Sequence, residues 1–158
     1  MARNLVLLWR KLNFITMIKS VHSYWAYLVL LILIIAVVNA IVKTVGGKEY
    51  SANDFRISLF TLIVSHLQLL IGFILYFVSP RFAVFGELGM GGVMKDAVNR
   101  LYLIEHPLVN IIVVVLITIG YSKHKKKLTS SPKLKTIAIF YTIALVLLIS
   151  RIPWSAWL

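Results

Sequence analysis

Three histidines are the residues of this chain whose type and position could support metal chemistry in apolar surroundings. His22 precedes one long apolar run, His66 lies near the middle of a second, and His106 opens a third directly after Glu105. Ionisable side chains at bilayer depth are rare and usually functional, so a buried imidazole there needs a hydrogen bond, a metal or water. A neighbouring carboxylate can also orient an imidazole and raise its basicity.

The absence of cysteine narrows the kinds of site that these histidines can form. With no cysteine in the sequence, disulfides, thiolate zinc sites, iron–sulfur clusters and cysteine-linked haem are excluded. The glycine-rich stretch 86–92 precedes Lys95, but it lacks the order of residues found in a phosphate-binding P-loop. Coordination by imidazoles is therefore the metal chemistry that the sequence favours.

The amino-acid composition indicates whether these histidines lie in water or in a membrane. The chain has 158 residues, of which 60% are hydrophobic, against about 45–50% in ordinary soluble domains. Its 17 lysines and arginines outnumber its five acids and give a net charge of +12, and most lie between apolar runs. This arrangement favours membrane topology and contact with anionic lipid head groups over nucleic-acid binding.

The apolar runs predict an all-α fold, an integral membrane four-helix bundle within residues 21–158. About 20 apolar residues cross a hydrocarbon core about 30 Å thick, and the runs place the spans at about 24–42, 57–78, 101–121 and 136–150. Residues 1–20 have apolar positions at helical spacing and are expected to lie in the interface as an amphipathic helix. Alternatively, these residues precede a true start at Met17. The glycines of 86–92 predict a flexible turn or re-entry.

The distribution of basic residues predicts the orientation of the bundle. Six lysines lie within residues 123–135, and short basic loops are retained in the cytoplasm. Both termini of the four-span chain are then expected on the periplasmic side of a bacterial inner membrane. His22, His106, Arg100 and Arg151 belong to that outer side, whereas His124 lies among the lysines and is expected to be solvated.

A haem held by these histidines would need an apolar cleft with cations at its edge. Arg100 and Arg151 are the candidates for binding its anionic groups. Two axial ligands must lie at nearly the same depth. With straight helices, however, the rise per residue separates His106 by about 10 Å from His66, and by a similar amount in the other direction from His22. The sequence leaves the pairing open.

Four segments carry a family resemblance: HSYWAYLVLLILI from His22, FTLIVSHLQLLIGFILYFVSP from Phe60, MKDAVNRLYLIEHPLVNIIVVVLITIGYSKHKK from Met94 and FYTIALVLLISRIPW from Phe140. From about Met17 onward the chain resembles the small four-helix Bacteroidota membrane proteins labelled "cytochrome B". The resemblance implies that His22, His66 and His106 are the candidate haem-iron ligands.

The resemblance implies a cytochrome b-like role in electron transport. Two haems would require four intramembrane imidazoles, so three histidines allow at most one haem b. Such a protein would pass electrons between a quinol or membrane partner and another redox protein, without a catalytic nucleophile of its own. The alternative is a non-haem accessory subunit that packs against a larger inner-membrane complex. His66, the deepest imidazole, is expected to be the most sensitive position, and His66→Leu to abolish haem binding.

Overall fold

The structure is a computed structural model that describes the backbone of residues 2–156 and the side chains of 6–7 and 9–155. Within these residues the fold is all-α, as predicted, and no strand occurs. The α-helices are α1 (Ala2–Val45), α2 (Ala52–Val78), α3 (Val84–Lys95), α4 (Ala97–Arg100), α5 (His106–Lys125) and α6 (Ser130–Ser150). Short 3-10 helices cover Pro80–Ala83 and Trp154–Ala156, and a π-helical turn, Leu101–Glu105, joins α4 to α5.

Among the residues that the structure describes, four helices are long and apolar enough to cross a membrane, which confirms the predicted number of spans. They cover Trp9–Val45, Ala52–Val78, Ala97–Lys125 and Ser130–Ser150. Each extends beyond the predicted apolar run, because backbone hydrogen bonding continues through the charged residues at its ends. Helix α1 is continuous from Ala2, so no break separates the amphipathic segment from the first span. The chain is a multi-pass membrane protein.

The four spans form a ring in which chain neighbours are also neighbours in space. Helix α1 packs on α2 and α6, and α5 packs on the same two helices. Alternating direction brings residues near both chain ends and the 79–105 segment to one end of the bundle, here called the histidine end. The connections 46–51 and 126–129 lie at the opposite, lysine end. Small residues allow close packing between spans, as at Gly120, where an added Cβ would lie 2.7 Å from Phe140 Cβ.

The glycine-rich segment is helical, whereas the sequence predicted a flexible turn or re-entry. A 3-10 helix leads into α3, which bends at Gly89, where φ is 63° and ψ is 173°. A positive φ of this kind is readily available to glycine. Asp96 then begins α4 and accepts a hydrogen bond from the Asn99 amide at 2.7 Å. The glycines of 86–92 therefore bend a helical connection at one residue.

A buried ion pair joins α1 to α2 at the lysine end. Asp54 is 3% exposed and lies 2.5 Å from Lys43 Nζ. Asn39 Nδ2 donates to the other carboxylate oxygen at 2.7 Å, and the Ser51 amide donates to Oδ2 at 2.6 Å. The single strongly polar residue inside the first span, Asn39, is therefore satisfied by a carboxylate from the next helix.

His124 is buried, so the prediction that it is a solvated loop residue was wrong. Helix α5 continues past residue 121 and turns this side chain inward, where it is 1% exposed and packs against Phe55 and Tyr121. The Tyr50 hydroxyl lies 3.0 Å from His124 Nε2. Burial raises the pKa of Tyr50 to about 12, so its hydroxyl stays protonated above the pH at which an ordinary tyrosine ionises.

Candidate functional site

His22 of α1 and His106 of α5 face each other at the histidine end. Their ring centroids are 6.3 Å apart and their planes are inclined by 73°. The predicted difference in depth between these two residues was wrong, because α1 starts well before residue 24 and places His22 inside the helix. The fold thereby brings together two candidate ligands that lie 84 positions apart in the sequence.

His106 is oriented by the end of α6. Its Nδ1 lies 2.8 Å from the backbone carbonyl oxygen of Arg151. A carbonyl can only accept, so Nδ1 carries the proton and donates it, which leaves the Nε2 lone pair available. Asn110 Nδ2 donates a hydrogen bond to the backbone carbonyl oxygen of His106 at 2.7 Å, in the first turn of α5. The ring is therefore held in the tautomer that a metal-binding histidine requires at Nε2.

His22 is held against α2 by a glutamine and by the absence of a side chain. Gln68 Nε2 donates to the His22 carbonyl at 3.0 Å and lies 3.3 Å from the ring Nδ1. A Cβ at Gly72 would lie 3.3 Å from His22 Cε1, closer than most such contacts. The missing side chain of Gly72 therefore leaves space for the imidazole of His22. The hydrogen bond from Gln68 to His22 accounts for a polar residue at position 68 of an apolar span.

Both histidines line a cavity of about 200 Å³ between the four spans. Most of its wall is apolar, but two polar atoms in it, Ser65 Oγ and Gln68 Oε1, are buried and have no hydrogen-bond partner among the described residues. Lys19 and Arg81 lie at its rim, and the Arg81 guanidinium stacks 4.2 Å from the centre of the Tyr102 ring. The cavity thus combines apolar walls with facing imidazoles and a cationic edge.

Arg100 and Arg151 converge on Glu105 and do not line this cavity. Arg100 Nε lies 2.9 Å from one carboxylate oxygen of Glu105, and Arg151 Nε lies 3.3 Å from the other. The two residues expected to bind anionic groups of a haem thus share the single carboxylate of Glu105. Glu105 contacts these arginines, while the imidazole of the adjacent His106 hydrogen-bonds to backbone.

His66 lies away from the other two histidines. Its side chain is on the exposed face of α2, where Nδ1 is 2.8 Å from the Leu62 carbonyl and Nε2 is 3.5 Å from Thr118 Oγ1. It does not line the cavity, and six residues of helix put it about 9 Å along the axis from Gly72. In the described part of the chain, no three residues of the types His, Cys, Asp or Glu cluster to hold a metal ion.

Several cavity residues were not identified from the sequence, although weak signals existed. Lys19 precedes His22 by three positions and so shares its helical face. Gly72 interrupts an apolar span, and Arg81 follows its end.

In comparisons of the chain with protein-family models, curated proteins and solved structures, nothing matches. The site is therefore interpreted from its own chemistry: two imidazoles with centroids 6.3 Å apart line a largely apolar cleft.

Proposed function

We propose that this protein is a cytochrome b-like electron-transfer protein that binds one haem b between His22 and His106. The observation that carries the proposal is the 6.3 Å separation of the two ring centroids. Imidazoles that coordinate one metal ion from opposite sides, each with a metal–nitrogen distance of about 2 Å, have ring centroids about 6 Å apart. The separation of the two rings supports the assignment of His22 and His106 as the residues that would hold the group.

The surrounding residues suit this group. The hydrogen bond from His106 Nδ1 to the Arg151 carbonyl directs Nε2 away from the protein backbone. The largely apolar walls that the four spans contribute suit the apolar faces of a porphyrin. When bound, haem would supply one-electron chemistry. The protein residues would hold it, set its environment and connect the site to a quinol or another redox protein.

For location, we propose a bacterial inner membrane with the lysine end in the cytoplasm and both termini in the periplasm. The fold brings the 43–56 connection to the same end as the six lysines of 123–135, so their positive charges act together. Anionic lipid head groups at the cytoplasmic surface suit this end. The haem site would then lie near the periplasmic side, where a membrane-protein partner would exchange electrons with it.

Absorption spectra of the purified protein, oxidised and dithionite-reduced, test this proposal. We expect a reduced α-band in the wild-type protein expressed with ample haem, its loss in His22→Leu and His106→Leu, and its retention in His66→Leu. His66 is the matched control, because its imidazole also lies in a span but does not line the cavity, and its ring nitrogens lie near Leu62 and Thr118. Equal accumulation and equal elution from a sizing column would show that all variants fold.

Two results would overturn the proposal. A wild-type protein without haem absorption under these conditions would favour the non-haem accessory subunit, in which the histidines serve only as hydrogen-bonding groups. Loss of the band in His66→Leu alone would show that the ligand set includes the residue outside the cavity.

A further inference from the structure

The cavity has one charged end, formed by Lys19 and Arg81. Both residues line the cavity, and neither forms an ion pair with another described residue. The other basic residues close to the site, Arg100 and Arg151, are paired with Glu105. An anionic group of a ligand in the cavity could pair with these cations at its rim. Among the described residues, Lys19 and Arg81 are therefore the lysine and arginine side chains that line the cavity.

Each of the two cations is directed by a neighbouring feature of the fold. Lys19 precedes His22 by three residues, so it lies on the same face of α1, about 4.5 Å nearer the histidine end. Arg81 follows α2 in the 3-10 helix Pro80–Ala83, and its guanidinium stacks on Tyr102 at 4.2 Å. Stacking occupies the face of a guanidinium and leaves its N–H groups available in the plane, where carboxylates bind.

We propose that Lys19 and Arg81 bind the anionic groups of an amphipathic ligand whose apolar body occupies the cavity. The identity of that body rests on the proposed function: with haem, the anionic groups are its two propionates, one for each cation. A fatty acid or an anionic lipid presents the same chemistry, a carboxylate or phosphate joined to an apolar body. Arg100 and Arg151 do not take this role, because both pair with Glu105 and neither lines the cavity.

Esterified haem provides the test, since its dimethyl ester keeps the macrocycle and iron but lacks both negative charges. Haem and its dimethyl ester would be titrated into the full-length apoprotein in detergent, with binding followed by visible absorption. We expect the wild-type protein to bind the diacid at least about tenfold more tightly than the diester. The variant Lys19→Gln with Arg81→Gln should bind the two compounds equally.

Two comparisons separate charge recognition from folding and from general attraction. Lys11→Gln with Lys95→Gln removes the same charge near the same end, from exposed residues that do not line the cavity, and should keep the preference. Arg81→Lys preserves the charge at this position and should keep part of the preference for the diacid. Because Lys19 and Arg81 are exposed at the rim, helical circular dichroism and elution volume should match the wild-type protein.

Equal binding of haem and its ester by the wild-type protein would overturn the inference while leaving the proposed function intact. If neither compound binds, the proposed function fails, and a fluorescent fatty acid and its methyl ester replace them as probes. Preference for the free acid that is lost in the double variant would then support the anion site with a lipid as its ligand. Absence of that preference would overturn the inference.

Discussion

Nδ1 of His106 lies 2.8 Å from the backbone carbonyl oxygen of Arg151, which ties the first residue of α5 to the residue that follows α6. The side chain of Arg151 pairs with Glu105, the residue before His106. Backbone and side chain of one residue thus contact two consecutive residues of the opposite helix. The orientation of the imidazole depends on where α6 ends.

Replacement of Arg151 by alanine should therefore weaken haem binding more than replacement of Arg100. Both changes remove one partner of Glu105, but only the backbone of Arg151 accepts from His106. Loss of the ion pair loosens the end of α6 and with it the carbonyl acceptor, and we expect about tenfold weaker binding. Titration of both variants with haem measures this. A larger loss in Arg100→Ala would contradict the role of Arg151.

Asp54→Ala should lower the free energy of unfolding by about 3 kcal/mol, because it leaves the ammonium of Lys43 and the amide of Asn39 without their partner. Asp96→Ala is the matched control. This exposed aspartate caps α4 through the Asn99 amide, and its loss should cost only about 1 kcal/mol. Thermal unfolding in detergent, followed by circular dichroism, compares the two. Equal destabilisation would argue against a buried network at Asp54.

Gly120→Ala and Gly91→Ala should have opposite effects on stability. A Cβ at Gly120 would lie 2.7 Å from Phe140 Cβ and 3.2 Å from Tyr141 Cε1, so α5 and α6 must move apart, at a cost of about 1–3 kcal/mol. A Cβ at Gly91 meets no atom within 4 Å, and alanine favours the helix by up to about 1 kcal/mol. Thermal unfolding of both variants is the measurement, and a stable Gly120→Ala protein would refute the close approach.

The stability of the bundle should fall with pH above about 10, in part through Tyr50. Burial raises the pKa of this hydroxyl from 10.0 to about 12, so the folded state binds its proton more tightly than the unfolded state. The resulting stabilisation is present below pH 10 and is lost as pH rises through 12. Tyr50→Phe should show a shallower decrease in thermal stability over this window. Identical slopes would indicate that Tyr50 ionises normally.

Single cysteines can establish the orientation, since the chain contains none. Leu128, 96% exposed at the lysine end, and Gly91 at the histidine end offer accessible positions. With a membrane-impermeant thiol reagent in intact spheroplasts, cysteine at 91 should react, whereas cysteine at 128 should react only after permeabilisation. The reverse pattern would place the cavity between His22 and His106 near the cytoplasm.

The sequence predicted the number of spans and the end of the bundle to which His22 and His106 belong. Both follow from hydropathy and chain order, which indicate the depth of each residue in the membrane to within a few positions. The rotation of each helix about its own axis was harder to predict from the sequence. His124 has lysines on both sides and nevertheless turns inward, and His66 lies in an apolar span on an exposed face.

The cavity itself could not be predicted, because it depends on contacts between helices distant in the chain. Its features arise from pairs such as His22 with Gly72 and Arg81 with Tyr102. With hydrophobic residues on nearly every face of a span, periodicity does not indicate which side faces the protein interior.

The π-helical turn Leu101–Glu105 has a consequence for how such a site can diversify. A turn of this type contains one residue more than an α-helical turn, and the Tyr76 hydroxyl donates to the carbonyl of Leu103 within it at 3.0 Å. Deletion of one residue here would restore the α-helix and rotate the preceding residues, Tyr102 included, by about 100° relative to α5. His106 and its partner at Arg151 would keep their places. Deletion of a single codon at this position is thus a route by which related proteins could change the residues on one side of the cavity while keeping both histidines.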